Sequence, residues 1–174
     1  MNPATSKSRL DKSVPCATRS EHSMTPPVSA FLSAEFSAIA HTTEDIQKVE
    51  KCVTFVVESI SGTKANLSRR YLKGHHGNII TTISARLSHK ELPSDTLNVL
   101  SRKLSESDRR FLSQHLGDRV DENGNLYLRF DKQEAFLGNV RLQNGDPIRM
   151  KLKFAPGYDV EAVVTLCRES GLVP

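Results

Sequence analysis

The sequence has no tryptophan, only three cysteines, and no apolar run approaching the roughly 20 residues a membrane-spanning helix needs. Its first residues lack the apolar centre of a secretory signal, so the expected location is the cytoplasm, with no membrane role. Cys16, Cys52 and Cys167 are odd in number and far apart, and the last two lie in apolar helical patterns. They read as reduced core thiols, not as a disulfide or zinc framework. Also missing are a nucleophile elbow, a phosphate-binding glycine loop, closely spaced His and Cys ligands, and paired carboxylates on one face. The expectation is therefore a protein that is not an enzyme and carries no metal or cofactor. His41 with Glu44 reads as a helix start, and the segment Gly117 to Asn125 fails as a calcium loop because Arg119 and Phe130 fall at the key ligand positions.

What remains is a chain of 174 residues with 37% hydrophobic and 25% charged residues, enough for one packed domain and too short for two ordinary ones. Residues 1–27 are rich in Ser, Thr and Pro without apolar periodicity, and are expected to be a flexible arm. Met24 stands just before the first patterned segment and is a candidate translation start. Residues 28–174 are expected to form the domain.

Within it, Ala30, Leu32, Ala34, Phe36, Ala38 and Ala40 alternate with mostly polar neighbours, predicting a half-buried strand. Thr42 or Thr43 is a candidate cap for a helix marked by Ile46, Val49, Val53, Val56 and Ile60 and stopped by Gly62. Ala65 to Lys73 and Asn78 to Ser88 read as a hairpin around Gly74-His75-His76-Gly77, with Ile79, Thr81, Ile83, Ala85 and Leu87 on one face. Ser94 and Ser105 are candidate caps of two short helices, the second ending at Gly117. A strand at Asn125 to Asp131, a helical piece at Lys132 to Leu137, strands at Val140 to Leu142 and Pro147 to Phe154, and a final helix from about Asp159 to Ser170 complete the pattern. Hairpin-joined strands with helices in separate blocks predict an α+β fold, an antiparallel or mixed sheet covered by helices on one face.

Net charge is only +4, but the distribution is uneven. Between Glu58 and Glu91 there is no carboxylate, while Lys64, Arg69, Arg70, Lys73, Arg86 and Lys90 occur with His75, His76 and His89. A basic hairpin suits phosphate contacts, because Lys and Arg that neutralise phosphates release condensed counterions. A second patch follows Pro147, where Arg149, Lys151 and Lys153 alternate with Ile148, Met150, Leu152 and Phe154, placing the cations on one sheet face. Charged strands also serve simply to block edge-to-edge aggregation, so the patches alone do not decide function. The Gly-His-His-Gly turn has the letters of a KH-domain clamp, but strands flank it where that clamp needs helices.

HTTEDIQKVEKCV (His41–Val53), KGHHGN (Lys73–Asn78), LYLRFDKQEAFLGNVRL (Leu126–Leu142) and DPIRMKLKF (Asp146–Phe154) together resemble the archaeal RNA-binding-domain family also described as predicted exosome subunits. The resemblance spans about Val28 to Phe154. It implies a fold similar to that of the ribosomal protein that binds five-S RNA, dimerisation, and a role with RNA beside exosome or ribosome components. By match to these motifs it points to His75, Asn78, Arg129, Lys132 and Gln133 as contacts. The charge pattern adds Arg69, Arg70, Lys73, His76, Arg86, Arg149 and Lys151. The competing expectation is a non-enzymatic adaptor that docks on such a component without touching RNA.

Overall fold

A computed structural model describes residues 30–73 and 79–174. The arm expected at 1–27, with its Cys16 and Met24, lies outside the described residues, as do the hairpin tip and its His75, His76 and Asn78. The elements follow the order β1 (Phe31–Ala40), α1 (Ile46–Ser61), β2 (Leu67–Lys73), β3 (Ile79–Ser88), α2 (Thr96–Lys103), α3 (Glu106–Gln114), β4 (Leu126–Phe130), α4 (Lys132–Phe136), β5 (Ile148–Phe154) and α5 (Val160–Glu169), with a 3-10 turn at Gly117–Arg119. The five strands form one sheet in the order β2-β3-β1-β5-β4, antiparallel throughout. The α+β fold with an antiparallel sheet is as the pattern predicts.

Alternation along the strands sets the two faces, because successive side chains point to opposite sides of a sheet. Ala34, Phe36 and Ala38 of β1, Thr81, Ile83, Ala85 and Leu87 of β3, Ile148, Met150 and Leu152 of β5, and Leu126, Leu128 and Phe130 of β4 are buried together. Helix α1 lies over β1 and β3 and also touches α2 and α4, burying Val49, Val53, Val56, Val57 and Ile60 on that same side. The opposite side of the sheet carries the half-buried and exposed polar residues of these strands.

Local chemistry moves several boundaries. Asp45, not Thr42 or Thr43, caps α1: its carboxylate accepts from the backbone N–H of Gln47 at 2.9 Å and of Lys48 at 3.4 Å. A carboxylate beside the positive end of a helix does this better than a neutral hydroxyl. Gly62 ends α1 in the left-handed conformation, φ 68°. Helix α2 begins after Asp95 with no side-chain cap, so Ser94 does not serve, whereas Ser105 does cap α3 by accepting from the Asp108 N–H at 3.1 Å. Helix α3 stops at Gln114 and Gly117 opens the 3-10 turn. Val140 to Leu142 forms no strand and contributes a single bridge, Leu142 to Phe130.

At the start of β1 the pairing with β5 shifts register between Phe31 and Ser33. One inserted residue reverses the inside-outside parity, so Phe31 is buried and Leu32 is exposed, opposite to simple alternation. Phe31 then meets Phe154 with ring centroids 5.3 Å apart, a tilted aromatic pair that closes this end of the core. Ile79 pairs with Lys73 where the hairpin runs past the helices, and is 59% exposed. Cys52 and Cys167 are free, buried thiols as expected, and burial pushes the Cys167 thiol up to about 12. The chain end is held down: the Gly171 carbonyl accepts from Ser101 Oγ at 2.6 Å and from Arg109 Nη1 at 3.3 Å.

Candidate nucleic-acid interface

The register of the sheet decides which cations share a surface. Residues opposite one another across the strands form rows on the face the helices leave open. Ser68, Ser84, Ser37, Arg149 and Arg129 make one such row, running from β2 to β4 through β3, β1 and β5. In the next row Arg86 faces Glu35, Glu35 faces Lys151, and Lys151 faces Tyr127. On the other side of the serine row Arg70 pairs with Thr82, which pairs with Ile39. Lys153 pairs with Ser33 one row further out.

Arg70, Arg86, Arg129, Arg149, Lys151 and Lys153 therefore stand on one face. Glu35 is the carboxylate set among them, with one oxygen 3.6 Å from Arg86 Nε. Arg70, Arg129, Arg149 and Lys153 make no ion pair among the described residues. A shallow concavity of about 740 Å³ occupies the middle of this face, floored by Ser37 and Ser84 and walled by Arg70, Arg86, Arg149 and Lys151. Ser68 and Ser84 share a hydroxyl hydrogen bond of 2.8 Å. Beside the concavity, the Tyr127 hydroxyl donates to Asp121 at 2.9 Å, and the Lys151 ammonium lies 5.3 Å from the Tyr127 ring centroid. Hydrogen bonding to Tyr127 first, then the nearby Asp121 and Glu35 charges, hold the Lys151 pKa above its ordinary value. Desolvation acts on Asp121 in the opposite sense. It is outweighed by hydrogen bonds from Asn125, Tyr127 and the Asn123 backbone, which keep this carboxyl below its usual range.

Of the cations and polar contacts expected from the sequence, Arg70, Arg86, Arg129, Arg149 and Lys151 come together here. Arg69 and Lys73 do not. They share the parity of Leu67, which places them on the helix-covered side, and the two Arg69 nitrogens Nε and Nη2 grip the carboxylate of Glu50 on α1. That hydrogen bond, followed by one to Tyr71, raises the Arg69 pKa. Gln133 is exposed on α4, again on the helix side, in a groove shared with Cys52, Phe136 and Leu137.

Lys132 is turned into the protein. Its side chain is 8% exposed, and the ammonium donates to the Ile39 carbonyl at 2.8 Å, to the Glu44 carboxylate at 3.0 and 3.1 Å, and to Asp146 at 2.5 Å. It ties α4 to the end of β1 and to the turn before β5. His41, Glu44 and Asp146 bring ligand-type atoms within 4.8 Å of one another, but the lysine already supplies the cation between the two carboxylates. Absent from the sequence-derived set are Ser37, Ser68, Ser84 and Tyr127. Their signal is the polar half of each strand's alternation, which names a surface only after the strands are paired.

A helix-backed antiparallel sheet whose open face carries six cations, with Glu35 set among them and Asp121 beside Lys151, presents a surface that attracts polyanions. The chain belongs to the RNA-binding family, whose model matches residues 33–154. It is 38% identical over 133 residues to RNA-binding protein PAB1135 of Pyrococcus abyssi, covering 74% of this chain and 86% of that protein. An uncharacterised Methanocaldococcus jannaschii protein, MJ0213, is 34% identical over 118 residues, covering 67% of this chain and 78% of that one. Among solved structures, protein AF2318 of Archaeglobus fulgidus superposes with a TM-score of 0.66 at 30% identity, covering 80% of this chain and 99% of that one. Mth689 of Methanothermobacter thermautotrophicus, a DUF54 protein, superposes with a TM-score of 0.61 at 30% identity, covering 80% of this chain and 97% of that one.

Proposed function

We propose that the protein is a cytoplasmic, non-catalytic RNA-binding accessory protein whose contact surface is the open face of the sheet. The observation that carries this reading is the convergence of Arg70, Arg86, Arg129, Arg149, Lys151 and Lys153, drawn from four strands, onto one surface with Glu35 among them. Phosphate contacts of this kind supply affinity and register and little sequence discrimination. The sequence resemblance supports placing the protein beside an exosome or ribosome component, and as a homodimer. A titration of labelled RNA followed by fluorescence anisotropy at several salt concentrations tests the surface. Affinity is expected to fall steeply with salt, and the Arg86→Glu/Arg149→Glu double variant is expected to lose binding while remaining folded. Absence of affinity for RNA of any form at low salt would refute the proposal.

The adaptor reading is favoured by one observation on the opposite side. Phe136 and Leu137 are 52% and 71% exposed beside α1, in the groove that also holds Gln133. If Phe136→Ser with Leu137→Ser abolishes recovery of protein partners from a lysate and leaves RNA affinity unchanged, that groove serves docking independently of the sheet face.

A further inference from the structure

Resting on the RNA-binding reading, we infer that the open face receives double-helical RNA, with its minor groove laid over the Ser37 and Ser84 hydroxyls at the middle of the sheet and its two backbones on the cations to either side. Three features of the face carry this.

The first is the shortage of stacking surface. Unpaired bases stack on exposed aromatic rings or on guanidinium planes, and it is the rings that form a platform for successive bases. Among the described residues this face has one aromatic, Tyr127, and it is committed: its hydroxyl is bonded to Asp121 and its ring faces the Lys151 ammonium. Tyr71, although 61% exposed, shares the parity of Arg69 and points to the other side of the sheet.

The second is the arrangement of charge. The cations form two groups separated by the middle of the sheet: Arg70 and Arg86 on β2 and β3, and Arg149, Lys151, Lys153 and Arg129 on β5 and β4. At about 4.8 Å per strand, Arg86 and Lys151 are about 10 Å apart at their Cα atoms, and the outermost pair, Arg70 and Arg129, is about 19 Å apart across the sheet. A single strand offers one line of phosphates. Two banks of cations stand on either side of β1, which carries Ser37, Ile39 and, beside Arg86, Glu35, and they match two lines of phosphates bordering a groove.

The third is what fills the strip. Ser37 on β1 lies in the strip, Ser84 and Ser68 continue its row of hydroxyls onto β3 and β2, and Ser37 makes no side-chain hydrogen bond among the described residues. A hydroxyl both donates and accepts, as does the ribose 2′-hydroxyl. The wide, shallow minor groove of A-form RNA displays those 2′-hydroxyls to a surface that reads shape, whereas its deep, narrow major groove does not admit side chains. The same strip over a DNA duplex would find no 2′-hydroxyl to meet.

The test measures wild-type protein by anisotropy, at fixed salt, against a blunt RNA duplex, the DNA duplex of the same sequence, each single RNA strand, and the RNA duplex carrying 2′-O-methyl groups. The RNA duplex is expected to bind at least about tenfold more tightly than the single strands or the DNA duplex, and 2′-O-methylation is expected to remove most of that margin. The Ser37→Ala/Ser84→Ala variant is expected to narrow the RNA-to-DNA ratio several-fold with the salt slope unchanged. Arg86→Ala/Arg149→Ala is expected to weaken both duplexes and lower the slope by about two. Circular dichroism verifies that each variant is folded. Single strands binding as tightly as the duplex, or a ratio indifferent to 2′-O-methylation, would overturn this inference and leave RNA binding standing. No binding to any RNA at low salt would sink both.

Discussion

Replacing Lys132 by Met removes one ammonium and little volume, and separates a structural role from a contact role at a residue that the family resemblance marks as an RNA contact. The ammonium has three donors, and all are engaged: the Ile39 carbonyl, the Glu44 carboxylate and Asp146. Breaking a buried ion pair costs about 3–5 kcal/mol when the remaining charge stays buried. Here Glu44 is 31% and Asp146 46% exposed, so both carboxylates regain water, and the Ile39 carbonyl is the group left in want of a partner, at about 1–3 kcal/mol. The expected loss is thus about 3 kcal/mol, which lowers the melting temperature by about 6–12 °C in a domain of this size. Urea unfolding followed by circular dichroism gives the stability, and anisotropy gives RNA affinity, expected to change less than about twofold because Lys132 lies behind the sheet. Glu44→Gln combined with Lys132→Met should cost less than the sum of the two, since the second change removes a partner already gone. A stability loss below about 1 kcal/mol together with a clear fall in affinity would show that the ammonium faces RNA and that the structural reasoning is wrong.

Leu128→Ala and Leu152→Ala, at fully buried positions, should each destabilise by about 2–5 kcal/mol, whereas Arg129→Ala should stay within about 0.5 kcal/mol, measured by urea unfolding. Arg70→Ala should weaken RNA binding and lower the salt slope by about one, while Arg69→Ala should leave binding unchanged because its guanidinium is held by Glu50 on the other face. Gly124→Ala should destabilise markedly, by about 2 kcal/mol or more, because φ is +71° and an added Cβ would stand 2.2 Å from the Tyr158 carbonyl oxygen; Gly117→Ala, with open space around it, should cost far less. Cys167 should resist alkylation at pH 8 until the protein unfolds, as read by mass spectrometry of the labelled peptide. Because its thiol titrates near 12 when folded and near 9 when unfolded, its contribution to stability should be complete below about pH 9 and lost as pH rises toward 12.

The sequence by itself determined the elements and their buried sides. Period-two alternation in β3, β4 and β5, and the spacing of Val49, Val53, Val56 and Ile60 in α1, are local properties that one chain segment expresses whatever it packs against. It also located the cation-rich stretches and the family. Tertiary structure decided which of those cations share a surface. Arg69 and Arg70 are neighbours in sequence and opposites in space, and the carboxylate that neutralises Arg69 comes from Glu50, 19 positions earlier, so a hairpin free of acid in sequence is not free of it when folded. The β1 insertion that turns Leu32 outward depends on pairing with β5, more than a hundred residues away. Lys132 reads as a surface cation until Glu44 and Asp146 are brought to it from either side. The row from Ser68 to Arg129 exists only once the strand order β2-β3-β1-β5-β4 is known, because alternation assigns a residue to a face of its own strand, and only long-range register aligns those faces into a site.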